Sequence, residues 1–145
     1  MNQNLIAKAA ITVDAPHARV WAALVNPGAI KQYMFGATVA SDWRTGSPIT
    51  WKGEWKGTAY EDKGTILEIE PERLLRYSHW SPLAGVPDRP ENYHTVTIEL
   101  SGEGDRTTVS LEQDHNDSQE AREHSEKNWS TMLAGLKTYV ERNSS

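Results

Sequence analysis

Histidine is the side chain that changes charge near neutral pH, so acid–base or metal chemistry would start at the five histidines His17, His79, His94, His115 and His124. Their spacing argues against a metal. No H-x-H, H-x-x-H or HExxH string occurs and there is no cysteine, so zinc would need ligands gathered from separate strands. The expectation is no metal and no cofactor. His17 and His124 stand among polar residues on expected helices and read as surface groups. His79 and His94 share strand parity with apolar neighbours, Leu75 and Tyr77 for the first, Val96 and Ile98 for the second. If those faces point inward, both imidazoles reach the interior, where one of them could act as a general acid or base. The plainer reading is a hydrogen-bonded histidine near the open end of a sheet. It is favoured, so no catalytic residue is assigned.

Other chemistry finds less support. A Ser-His-Asp set would have to be assembled blindly from abundant residues. Gly53, Gly57 and Gly64 are too dispersed for a phosphate loop. Glu68 alternates with Ile66, could point inward, and would then need a partner such as Arg76 or Lys52 on a neighbouring strand. The aromatic content is unusual in kind, with six Trp and five Tyr beside a single Phe. Such side chains join an apolar body to a polar handle and suit pocket walls as well as cores. Trp51 alternates with Ile49 and should face inward. Trp43 and Trp55 flank glycine-containing turns, where they would form a pocket mouth, an interaction surface, or a cover for their own core.

The elements that position these residues follow from periodicity. Leu5 to Val13 reads as a strand. Asp14-Ala15-Pro16 opens a helix carrying Val20, Trp21, Leu24 and Val25 at helical spacing, and Asn26-Pro27-Gly28 ends it. A second short helix is expected over Ala29 to Met34. Strands follow at Ala37 to Ala40, Pro48 to Lys52, Thr58 to Glu70 (bent or bulged at Gly64), Leu74 to Trp80, Tyr93 to Leu100 and Thr107 to Asp114. Ser81 to Asn92 holds three prolines and is a loop. Asp117 with Glu120 resembles a capping box that opens a long proline-free helix. Its apolar stripe is Trp129, Met132, Leu133, Leu136 and Val140. Consecutive strands joined by short turns make an antiparallel sheet. The last helix is the element large enough to cover its apolar face. A twisted sheet curled around one helix should leave a cavity between them.

The chain has 145 residues, which suits one domain spanning residues 1–145. Net charge is −5 and the basic residues are scattered, so nucleic acid and anionic membranes are poor partners. No signal peptide or membrane span is visible in the sequence, and a cytoplasmic location is expected.

Three strings carry a resemblance. "ITVDAPHARVWAALVNP", "GTILEIEPERLLRYSHW" and "NWSTMLAGLKTYVE" resemble the opening, the central hairpin and the closing helix of the Bet v 1-like/START-like (SRPBCC) helix-grip superfamily, nearest its Hsp90-ATPase-activator-like branch. Asn128 stands where that branch often has glycine. The resemblance implies an α+β helix-grip fold, in which a curved antiparallel sheet of about seven strands wraps a long C-terminal helix, with two short helices after the first strand. It also implies several uses. The first is binding of a small, largely apolar, aromatic or lipid-like molecule between sheet and helix. The second is interaction with an Hsp90-type chaperone ATPase. The third is cyclase- or hydrolase-like catalysis through a pocket histidine. For the first, the expected walls are Trp51, Tyr77, His79, His94, Val96, Gln113, Trp129, Met132 and Leu136, with His79, His94 and Gln113 as orienting polar groups. Trp129 should meet Trp51 across the cavity. Ligand identity, any catalysis, oligomeric state, biological pathway, and whether the cavity is open or filled by aromatic side chains are left open.

Overall fold

A computed structural model describes residues 5–34, 36–55, 57–82, 85–116 and 118–142, with only the backbone of Trp55. The chain opens with strand β1 (Leu5–Val13), helix α1 (His17–Val25) and helix α2 (Pro27–Tyr33). Six strands follow: β2 (Thr38–Ser41), β3 (Pro48–Trp55), β4 (Thr58–Glu70), β5 (Leu74–His79), β6 (His94–Ser101) and β7 (Thr107–Asn116). Helix α3 (Gln119–Arg142) closes the chain with 24 residues, about 36 Å at 1.5 Å per residue. The seven strands form one antiparallel sheet in the order β1-β7-β6-β5-β4-β3-β2. This is the α+β helix-grip architecture.

Local chemistry sets the boundaries. Pro16 precedes α1 and Pro27 opens α2, where a missing N–H costs nothing. The Asn26 side chain caps α2 by accepting from the Ala29 N–H. Asp117, the expected cap of α3, lies outside the described residues. The observed cap is Ser118, whose Oγ accepts from the Ala121 N–H at 3.1 Å.

Strand β4 departs from simple alternation, but not at Gly64. Ile66 pairs with Tyr77 and Glu68 pairs with Arg76, so the bulge falls at Leu67. One extra residue reverses parity. Ile66 is fully buried, whereas Glu68 turns outward and binds Arg76 at 2.7 Å. The inward reading of Glu68 is therefore corrected, while Arg76 is the partner named for it. Gly64 has a different role. A Cβ there would stand 1.7 Å from the Ser78 carbonyl oxygen, so β4 and β5 approach more closely than any side chain permits.

Helix α3 buries Met132, Leu133, Leu136 and Val140 and rests mainly on β1, at one side of the sheet, with lesser contacts to α2 and β7. The other side is covered by α1 and α2, whose Leu24, Ile30 and Tyr33 join the same core as Ile49, Trp51 and Tyr77. Tyr33 is held there by its hydroxyl, which donates to the Ala23 carbonyl at 2.9 Å. At Gly135 α3 comes so close that a Cβ would lie 3.2 Å from the Tyr33 Cβ. Among the described residues no helix is long and apolar enough to cross a membrane.

Candidate functional site

Strands β3 to β6 bring a row of chemically capable side chains to one end of the inner face. Trp51 on β3 pairs with Asp62 on β4, and His79 on β5 pairs with His94 on β6. Cross-strand partners share a face, and the two pairs are joined diagonally through Asp62 and His79, since Gly64 is the β4 residue in register with His79. Trp51 is buried, and its ring centroid lies 5.1 Å from those of both Tyr77 and His79. On β4 the inward position between Asp62 and Ile66 is Gly64, opposite Ile49, so no β4 side chain separates Trp51 from His79 there.

Asp62 and His79 form a pair. The Nε2–H of His79 donates to Asp62 Oδ2 at 2.9 Å. The other carboxylate oxygen, Oδ1, is shielded from solvent and no protein donor reaches it among the described residues. His94 is fixed from the opposite side. Its Nδ1 lies 2.9 Å from the Asp114 carbonyl oxygen, which can only accept, so Nδ1 carries the proton. Nε2 of the neutral ring is then a lone-pair acceptor. Burial, more than the neighbouring His79 and His115, pulls the His94 pKa below its ordinary value, against a smaller opposing pull from the Asp114 carbonyl. The His115 ring lies 6.2 Å from that of His94 and is exposed.

The expected wall residues divide into two groups. Trp51, Tyr77 and Met132 surround the gap beneath α3, together with Leu24, Ile30, Tyr33, Met34, Trp43, Ile49, Leu75 and Ile98. His79 stands beside it, touching Trp51, and His94 follows in register. Val96 and Leu136 are buried in the core. Gln113 faces α3, and its Oε1 accepts from the Trp129 indole N–H at 2.5 Å. Trp129 is thus spent on β7 and is not among the residues around the gap, and Trp51 instead meets Tyr77 and His79. Trp43 does line the gap. The Trp55 side chain lies outside the described residues.

The gap itself is about 20 Å³. That is room for one water and no more. The space expected between sheet and helix is filled here: α1 and α2 send Leu24, Ile30 and Tyr33 into it, and Trp51, Tyr77 and Met132 meet them. Asp62 was missed from sequence. Its signal was parity, since Tyr60, Asp62, Gly64 and Ile66 share a face, and a carboxylate on an apolar face needs a reason.

Solved structures share this architecture. The protein ChR145 from Cytophaga hutchinsonii, a solution structure, is 56% identical, with 98% of this chain and 97% of that chain covered and a TM-score of 0.85. CalU16 from Micromonospora echinospora is 23% identical over 95% of this chain and 85% of that one, with a TM-score of 0.72. The Aha1 dimer from Colwellia psychrerythraea is 17% identical over 97% and 98%, with a TM-score of 0.72. The last two likenesses are of fold. No curated protein matches the chain significantly. Residues 14–141 match the model of one family across nearly the whole fold, and the chain therefore belongs to the family described as Activator of Hsp90 ATPase homolog 1-like protein.

Proposed function

We propose that this protein binds a small, largely apolar, aromatic molecule between the sheet and α3, in a space that opens when the ligand enters. The observation that carries this reading is the composition around the closed gap. Trp51 and Tyr77 line it together with Met34 and Met132, and the polar pair Asp62 and His79 stands next to Trp51, just outside that lining. Apolar walls with a few convergent polar groups are what small-molecule sites are made of. Methionine is unbranched and re-packs easily, so two methionines in the lining make a wall that can move. A gap of about 20 Å³ excludes a resident ligand of any size from this conformation, so binding must displace side chains of α2, α3 or the segment around Trp43.

The experiment is native mass spectrometry of the protein purified from its own host, followed by thermal melts with a panel of small aromatic compounds. A retained adduct, or a melting temperature that rises with ligand concentration, is expected. A bare mass together with unchanged melts across the panel would overturn the reading.

A second reading is favoured by the family match alone, namely interaction with an Hsp90-type ATPase. It uses the outer surface of the fold and is independent of the gap.

A further inference from the structure

We propose that Asp62 selects the ligand, and that the class it selects is a neutral aromatic molecule with a hydroxyl or N–H at its edge, of the phenol or indole type. This rests on the reading that an aromatic molecule occupies the gap over Trp51.

Two observations carry it. The first is the unmet oxygen. Oδ2 of Asp62 is committed to His79 Nε2, while Oδ1 is buried with no protein donor in reach among the described residues. A buried carboxylate oxygen without a hydrogen bond is costly, and such groups persist where something else supplies the donor. Its cross-strand partner is Trp51, so the carboxylate stands on the neighbouring strand and on the same face as the indole.

The second observation is what stands next to it. His94 spends its Nδ1–H on the Asp114 carbonyl, so the neutral ring offers Nε2 as a second acceptor in the same row. His79 spends its Nε2–H on Asp62. At Asp62 and His94 the site thus presents acceptors, and the His79 Nε2–H is already taken. A ligand with a carboxylate or phosphate would set lone pairs against lone pairs, and a free fatty acid is rejected on that ground. A donor on an otherwise apolar ring satisfies Oδ1 and leaves the rest of the molecule to Trp51 and Tyr77.

The test compares phenol, toluene and benzoate, which differ in the edge group on one ring. Binding is followed by calorimetry and by the NMR shifts of the Trp51 indole N–H and the Asp62 amide. Phenol should bind at least roughly tenfold more tightly than toluene, as expected for a hydrogen bond to a charged acceptor. Benzoate should not bind. In Asp62→Asn the amide oxygen can keep the His79 bond, which turns the amide N–H₂ toward the ligand. The phenol preference should then disappear and benzaldehyde, which only accepts, should gain. Equal affinity of phenol and toluene in the unmodified protein, or preference for benzoate, overturns the proposal while leaving binding over Trp51 intact. If none of these compounds binds, both readings fall. Should the variant not fold, the order of affinities in the unmodified protein decides alone.

Discussion

His94 shows how a side chain that is ordinary in sequence acquires a defined state from its neighbours. Its Nδ1–H is fixed on the Asp114 carbonyl, and burial holds its pKa below the ordinary histidine value. The unfolded chain therefore takes up a proton at this site before the folded chain does. Between the ordinary value of about 6.5 and the lower folded value, the unfolded state binds more protons and stability rises with pH. The contribution is complete above about pH 6.5 and is lost as pH falls from there through the folded pKa. Chemical denaturation from pH 8 to pH 5 should show this loss, and His94→Gln should reduce the slope by no more than one proton's worth, about 1.4 kcal/mol per pH unit. An unchanged slope in the variant would show that His94 is not held neutral by the fold. The inward direction of His94, His79 and Trp51 was legible from alternation, because parity is a local property of a strand. The Asp62–His79 pair was not, because it depends on which strands become neighbours. Glu68 was misread for a related reason. The bulge at Leu67 exists only in the pairing of β4 with β5, and one inserted residue moves every later side chain to the other face.

At the scale of elements, α3 does two jobs on one edge of the sheet. Its apolar stripe covers the inner face, and its polar flank closes the open side of β1. The Lys8 N–H donates to Glu126 Oε2 at 2.9 Å and the Asp14 N–H donates to Glu141 Oε2 at 2.8 Å. Lys137 Nζ donates to the Thr12 carbonyl at 2.9 Å. These bonds occupy backbone groups that an edge strand would otherwise offer to another chain. The opposite edge, β2, is only four residues long, a second way of limiting exposed edge. The apolar stripe was legible from its 3.6-residue period. The polar flank was not, since a glutamate on a helix gives no sign of which backbone it will meet. Leu136 is fully buried at the middle of the stripe. Leu136→Ala should cost about 2–5 kcal/mol, measured as a shift in the denaturant midpoint at unchanged slope. A loss well below 1 kcal/mol would mean that α3 can settle into the space and that its contact with the sheet is not the main core.

Across the whole molecule, the sequence made the architecture plain but not the fate of the space inside it. The order of one strand, two helices, six strands and a long helix is set by short-range signals, and it was readable. Whether sheet and helix enclose a cavity depends on how far α1 and α2 lean in, which no periodicity records. The packing of Tyr33 against Gly135 and of Trp51 against Tyr77 decided it, leaving about 20 Å³. Two uses of such a fold are then physically separable. On the two proposed readings, ligand binding would draw on the interior around Trp51, whereas association with a chaperone would draw on the outside. A variant that alters the lining of the gap without disturbing the surface distinguishes them. Trp51→Leu removes the indole that contacts Tyr77 and His79 and leaves an apolar side chain in its place. If the interior is the functional part, this change should abolish the rise in melting temperature that aromatic ligands produce, beyond the loss of stability it causes by itself. Added to the host's own Hsp90-type ATPase, the same folded variant should change the turnover rate as much as the unmodified protein does, if the outer surface is what acts. An ATPase rate that neither protein alters at high micromolar concentration removes the chaperone reading. An ATPase effect that vanishes with Trp51 ties both uses to one site and contradicts their separation.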